Sequence, residues 1–579
     1  MKKQSSTLQP RRFGSRFSAF CAAAALVLLF LILCWLSAVS LTETVDMNLN
    51  NFAGERVDTY SDSLPLNLLM LPVFAGGALA WTLLTDRLRT DTVIWLTVLA
   101  VTLGSVIFVL SAQAAPSQDC LIVTRAAYHA SVGDGSRLAE DYFQRHPYQL
   151  GYVLFCEGII RLFGMGNYTV PMELANAVCL GVTYLALLFS VRRLWGDRPT
   201  VICCGLMLVS LQPVLFCTFP YGNIPGLMCG ALAVWQMLCM FDGRRRWPHA
   251  LLAALLIGLG TALKKNTLIL LAAMLIVLLI RIIRKPSAVC AVCMLLCAAS
   301  AYAVPAGVQT QYEQRFGISF GKGIPMSSYA AMGLNDAFIA PGWYEASYTV
   351  VNFHESGMDP AEANRRSMKV IRDRLEYFRE HPDEAADFFS EKLRSEWNET
   401  SYQSIWTNQV RGSYGEPGML AEWVQGAGER PLKRWMDWVT QLVFVTAALG
   451  CLTLLRTRRI EEVILPVCVI GGFLYHTVFE AKSQYILTYF ILLLPIAARG
   501  LSGLFSRISI ARRKTAGGSV AVWHRSADRI GILVREKENS PPRLIPVLRL
   551  KRRKKVENPH HNFQKSLYKS TETWYNNVV

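Results

Sequence analysis

The chain has 579 residues, 52% of them hydrophobic and 17% charged, with a formal net charge of +17. Soluble domains carry about 25% charged residues, so most of this length is not an ordinary soluble enzyme. The basic excess is not a nucleic-acid footprint either. Its clusters stand beside apolar runs: Arg11-Arg12, Arg192-Arg193, Arg244-Arg245-Arg246, Arg284-Lys285, Arg456 with Arg458-Arg459, and Arg512-Arg513-Lys514. That is the topology signal of cytoplasmic span ends.

In chain order, Lys2, Lys3, Arg11, Arg12 and Arg16 precede a long apolar run with no clear cleavage site. This predicts a retained first span instead of a processed leader. Spans are predicted at 17–40, 65–85, 92–112, 172–190, 200–217, 225–241, 250–264, 267–283, 288–308, 438–456, 462–479 and 484–499, roughly twelve membrane helices. Continuous apolar runs exclude a barrel, whose strands alternate. The predicted class is an all-α polytopic membrane bundle.

With the amino terminus cytoplasmic, the acidic loop 41–64 is external, the Arg87 and Arg89 turn is internal, and 113–148 is external. Counting back from the basic carboxyl end puts 309–437 outside as well. The two counts agree only if 149–163 does not cross. That stretch is short and carries Glu157 and Arg161, and it reads as an amphipathic or re-entrant helix on the outer face.

The predicted organisation is a cytoplasmic end with two additional spans (1–91), a membrane core (92–308) with a first external loop at 113–171, an external helical module (309–437), the last three spans (438–500) and an unstructured basic tail (501–579). In the module, Asp359-Pro360 is a helix start. Met368, Ile371, Leu375 and Phe378 recur at helical spacing. His381-Pro382 breaks that helix, and Asp383 is expected to cap a second one towards Trp397.

Of fifteen cysteines, nearly all fall inside spans, where they act as small apolar residues. Cys120 alone lies in a polar loop. No H-E-x-x-H or Cys/His metal spacing occurs, and Gly258/Gly260 lies within a span, so no nucleotide loop or built-in metal is expected. No cofactor is predicted, and a divalent cation is left open.

The residues that could carry chemistry gather in the predicted external turns. Asp119 and Arg125 follow the third span, and His146 and Tyr148 come next. Tyr221 lies in the Pro220–Pro225 turn. Lys264 and Lys265 end the span near 250–264, and Glu480, Lys482 and Tyr485 lie between the last two spans. Ionisable groups at membrane depth are costly and are functional candidates. Two adjacent lysines on an outer face run against the positive-inside tendency, and an anionic ligand such as a phosphate would account for them. The alternatives are a solvated loop residue for Asp119, snorkelling for the lysines, and a local ion pair for Glu480 and Lys482.

A family resemblance rests on Pro116-Ser-Gln-Asp119, His146-Pro-Tyr-Gln-Leu-Gly151, Arg161-Leu-Phe-Gly164, Val191-Arg-Arg-Leu-Trp-Gly196, Tyr221-Gly-Asn-Ile-Pro225, Leu263-Lys-Lys-Asn266 and Glu480-Ala-Lys-Ser-Gln-Tyr485. In their order the chain resembles bacterial integral-membrane glycosyltransferases of family 39, in the GT-C superfamily with protein O-mannosyltransferases and aminoarabinose transferases. The resemblance implies a GT-C-like bundle, a polyprenyl-phosphate sugar as donor, and an essential acid in the first external loop, which is Asp119 here. Cys120 stands where a second acid often sits in that family.

The resulting expectation is sugar transfer to an unidentified hydroxyl acceptor at the outer face of a bacterial plasma membrane, with both termini cytoplasmic. Asp119 would be the general base, with Lys264 or Lys265, and Lys482 or Arg125, holding the leaving phosphate. Besides donor and acceptor, the expected partners are membrane lipids and no nucleic acid. The alternatives are a flippase or transporter of lipid-linked sugars, or an inactive sugar-lipid-binding protein. Transporters carry mid-span charges and paired broken helices, whereas here the charges concentrate at one face.

Overall fold

The computed structural model describes residues 9–48, 54–243, 245–515, 520–526, 529–535 and 543–549. Among them, 11 helices are long and apolar enough to cross a membrane, and up to 12 crossings form if the pair Asp197–Val209 and Gln212–Thr218 is one bent span. The chain is a multi-pass, predominantly helical membrane bundle. The expected span 200–217 is this pair, bent by 53°. Pro213 starts the second piece and supplies no N–H to the first, and Ser210 turns its hydroxyl back to Leu206 O at 2.8 Å.

The stretch at 149–163 is a 14-residue helix, Leu150–Phe163. At 1.5 Å per residue it spans about 21 Å, short of the roughly 30 Å hydrocarbon layer. Its Glu157 is buried, yet Tyr312, Arg315 and Arg161 each approach it at 2.6 Å. With this helix not crossing, the turns sort into two ends of the bundle in the predicted alternation. At one end Arg192 pairs with Asp91 at 2.5 Å and Arg281 pairs with Glu461. At the other, Lys482 pairs with Glu55 at 2.7 Å and Arg411 with Glu173 at 2.9 Å.

Residues up to Phe505 make one compact unit. The first helix, Gln9–Thr42, is part of it: Ala22, Leu26, Leu29 and Leu33 are fully buried in the main core. The second, Leu64–Leu84, is peripheral: Phe74, Ala78 and Trp81 pack against the main core and the opposite side of the helix is exposed. Between them the chain forms an antiparallel hairpin, Glu43–Asn48 with Arg56–Ser61, in a register that pairs Glu43 with Ser61 and Asn48 with Arg56.

In the long loop, Asp359 accepts a hydrogen bond from the Ala361 N–H at 2.9 Å and Pro360 opens the helix Pro360–Glu380. The next helix, Pro382–Trp397, is capped at His381 and not at Asp383, which lies in the first turn where the helix dipole favours its charge. Helix Glu429–Leu454 starts before the predicted 438 because Leu432 and Met436 extend its buried face. Helix Ala288–Phe316 outruns 308 because Tyr312 is buried.

The carboxyl end differs from an unstructured tail. Helix Ser483–Thr515 runs into it, and strands Val520–Ser526, Arg529–Arg535 and Arg543–Arg549 form an antiparallel sheet in a second unit, Ser506–Val579. Val, Ile and Leu in these strands are the residues that suit a pleated surface. The rest of 501–579 lies outside the described residues.

Candidate active site

Three chain turns meet at one end of the bundle, and two glycines let them touch. A Cβ on Gly222 would lie 2.4 Å from Leu263 O, and Gly222 has φ +75°. A Cβ on Gly151 would lie 2.1 Å from Ala262 O. Both contacts are with backbone, so neither position tolerates a side chain without displacement. The consequence is that Tyr221, Gln149 and the Lys264-Lys265 turn share one cluster.

Tyr221 is its hub. Its hydroxyl donates to Asp119 Oδ2 at 3.0 Å and receives the Gln149 amide N–H, with Tyr142 OH at 3.3 Å. The Lys264 ammonium lies 4.3 Å from the centroid of the same ring and 5.5 Å from that of Tyr485. Lys265 lies 4.4 Å from the Tyr148 ring. Such cation–π contacts contribute about 0.5–2 kcal/mol, most when desolvated.

Asp119 is exposed in the first turn of helix Gln118–Ser131, where the helix dipole favours a carboxylate. Gln118 just before it sits at φ +49°, a conformation costly for a non-glycine residue and common at functional sites. The chain leading to Asp119 is tied down from the long loop: Ala115 N–H to Gly412 O at 2.8 Å, Tyr414 N–H to Gln113 O at 3.0 Å, and Arg411 Nε to Ala115 O at 2.8 Å. Arg411 also donates to Thr218 O, and its fully buried partner is Glu173.

A cavity of about 260 Å³ opens beside the cluster, lined among others by Tyr148, Lys264, Lys265, Tyr329, Glu480 and Tyr485. Burial pushes Glu480 up to about 7, against the pull of Lys482, with Glu55 and Asp119 adding to the rise. Burial pulls Lys264 down to about 8 although Glu480 and Asp119 oppose it, and it lowers Lys265 as well. Lys482 is also desolvated, but Glu55 and Glu480 hold its pKa above the ordinary value. Burial takes His146 down to about 4, and its Nδ1 faces the hydroxyls of Tyr329 and Tyr148 at 3.2 and 3.3 Å.

Of the predicted residues, Asp119, His146, Tyr148, Tyr221, Lys264, Lys265, Glu480, Lys482 and Tyr485 are thus brought together. Arg125 is not. It is exposed beside Tyr168, away from the cavity, because six residues along a helix turn it off the face that carries Asp119. Cys120 also faces away. It is fully buried, its thiol donates to Ser117 O at 3.1 Å, and burial pushes it up to about 11, so it remains a thiol packed in the core.

Sequence reasoning missed four contributors. Glu55, from the hairpin after the first helix, is the ion-pair partner of Lys482. Tyr142 and Tyr329 complete the aromatic wall. Lys392, fully buried, donates to Gly333 O, to Phe479 O at 2.8 Å and to Thr477 O at 3.2 Å, and so pins the turn that carries Glu480. An acidic loop residue and a helical lysine give no sequence signal of such contacts. Among the described residues, no group of three or more His, Cys, Asp or Glu side chains gathers as metal ligands would.

The fold and this cluster describe a polytopic membrane protein with charged and aromatic side chains gathered around a cavity at one end of its bundle. Residues 145–304 match the profile of the family described as dolichyl-phosphate-mannose-protein mannosyltransferase, and the resemblance read from the motifs stands on that segment. No curated protein matches the chain. Solved structures that resemble it include the oligosaccharyltransferase AglB of Archaeoglobus fulgidus, in complex with an inhibitory peptide and a dolichol-phosphate (12% identity, TM-score 0.43, covering 76% of this chain and 53% of that one). The chain therefore spans about half the length of that protein. ArnT of Cupriavidus metallidurans matches in its apo state (11% identity, TM-score 0.29, covering 74% and 81%). It also matches bound to undecaprenyl phosphate (14%, 0.30, 72% and 79%).

Proposed function

We propose that the protein transfers a sugar from a polyprenyl-phosphate donor to a hydroxyl acceptor at the outer face of a plasma membrane, with inversion at the anomeric carbon. The observation that carries this reading is the arrangement around Tyr221: a carboxylate on its hydroxyl, an ammonium on its ring, and a cavity beside both.

In the proposed step the acceptor oxygen attacks the anomeric carbon, and its proton passes to the Asp119 carboxylate. The bond from that carbon to the phosphate oxygen breaks, and the electron pair leaves with the polyprenyl phosphate. Lys264 and Lys265, at the cavity, would offset the charge growing on that phosphate, and Lys482, paired with Glu55 at 2.7 Å, adds a third cation near Glu480. Tyr221 fixes the direction of Asp119. The Tyr221 and Tyr485 rings shield the Lys264 ammonium from water, which raises the worth of its charge. No cofactor is assigned to this step.

The test is to incubate the full chain, reconstituted in vesicles, with a panel of polyprenyl-phosphate monosaccharides and to measure released polyprenyl phosphate. Release that depends on added acceptor supports transfer. Movement of intact donor between leaflets without release supports a flippase, and donor retention with neither supports a binding protein.

A further inference from the structure

At the end of the bundle opposite Asp119, a second cavity of about 180 Å³ is lined by Arg193, Arg281, Arg284, Lys285, Arg459 and Glu461, with Phe241 on its apolar wall. Among the described lining residues five cations face one carboxylate, Glu461, and Glu462 stands 3.6 Å from Arg459 just outside the lining. Three helices end here, Thr169–Trp195, Asn223–Asp242 and Thr267–Arg284, and the negative ends of their dipoles favour some of this charge. That accounts for Arg193, whose Nε donates to Leu238 O at 3.1 Å, and for Arg281, which donates to Phe241 O at 3.4 Å, lies 4.0 Å from the Phe241 ring centroid and pairs with Glu461.

It does not account for the rest. Arg284 reaches Glu461 only at 3.8 Å, and Arg459 lies 3.6 Å from Glu462. Lys285 is the extended residue that ends its helix. Arg284 and Arg459 keep much of their side chains in water, 43% and 54% exposed, as a topology signal requires, but a topology signal does not require them to converge with Lys285 on one cavity with an apolar wall, where like charges repel. A bound anion relieves that repulsion. Arg193 and Arg281, held by carbonyls and a ring, order one wall of the cavity, and the guanidinium groups of Arg284 and Arg459 beside it can offer paired N–H groups to phosphate oxygens.

We propose that this cavity binds a phosphate group, as the headgroup of an anionic lipid or as the free ion. The site is separate from the sugar-transfer reading and stands or falls without it. A lipid would seat its phosphate among Arg284, Lys285 and Arg459 and run its acyl chains along the neighbouring helices.

The test uses the full chain, purified in detergent and stripped of lipid. Native mass spectrometry counts bound phosphatidylglycerol, with phosphatidylethanolamine as the zwitterionic comparison. The doubly substituted Arg284→Gln, Arg459→Gln protein should lose phosphatidylglycerol roughly tenfold. Arg87→Gln with Arg89→Gln removes equal charge at the same end of the bundle, outside the cavity, and should lose little. Arg284→Lys with Arg459→Lys keeps the charge and should retain an intermediate amount. Elution volume checks that all three are folded. If inorganic phosphate binds and displaces the lipid, the free ion is the ligand; if lipid persists against it, the headgroup is. Equal losses in the cavity and control proteins, or no loss in either, would overturn the proposal.

Discussion

The Lys264 ammonium lies 4.3 Å from the ring centroid of Tyr221. Because the Tyr221 hydroxyl is bonded to Asp119, this one contact puts a cation and the proposed base on two sides of a single side chain. Residues from three distant parts of the chain are thereby fixed in one chamber.

The pH dependence follows from Lys264. Burial holds its pKa at about 8, below its ordinary value, so its charge is present below that pH and is lost as pH rises through it. In the free protein kcat/KM for a polyprenyl-phosphate sugar should therefore fall above about pH 8, by at most tenfold per pH unit. Lys264→Arg should remove that limb, since a guanidinium stays charged. The pH profiles of the two proteins check it.

Gly222→Ala should cut activity without removing any functional group. The new methyl would meet Leu263 O in a left-handed backbone position, and the Tyr221 turn would move off Lys264. A misplacement of about 1 Å can cost roughly a hundredfold in rate. Steady-state turnover, compared with membrane expression level, separates this from failure to fold.

Arg411→Ala should destabilise the fold by about 3–5 kcal/mol, because it strands the buried Glu173 carboxylate. Arg411→Met combined with Glu173→Gln should recover part of the loss. Recovery stays incomplete because Ala115 O and Thr218 O still lose their donor. Unfolding midpoints of the three proteins in detergent read this out.

Chelation should leave turnover unchanged. The proposed step uses lysines, where a metal would otherwise offset phosphate charge. Turnover with and without excess EDTA, followed by Mg²⁺ addition, measures it directly.

Much of this was legible in the sequence for a physical reason. Apolar run lengths fix the spans, and the basic turns fix their alternation. The pair Lys264-Lys265 stood out by lying on the wrong side of that rule, and the structure places both at the cavity. Contacts between parts far apart in the chain were not legible. Glu55 was one of five acids in a loop with no periodicity, and only the packing of the first helix into the main core brings it to Lys482. Arg125 failed for the opposite reason: nearness to Asp119 in sequence is not nearness on a helix surface.

The central claim is that Asp119 takes a proton while the lysines hold the donor. The direct measurement is Asp119→Asn, with donor affinity and turnover determined on the same preparation. Donor binding should stay within a few-fold of the unsubstituted protein, while turnover falls by roughly a hundredfold or more. Turnover close to the original, with donor bound normally, would contradict the assignment.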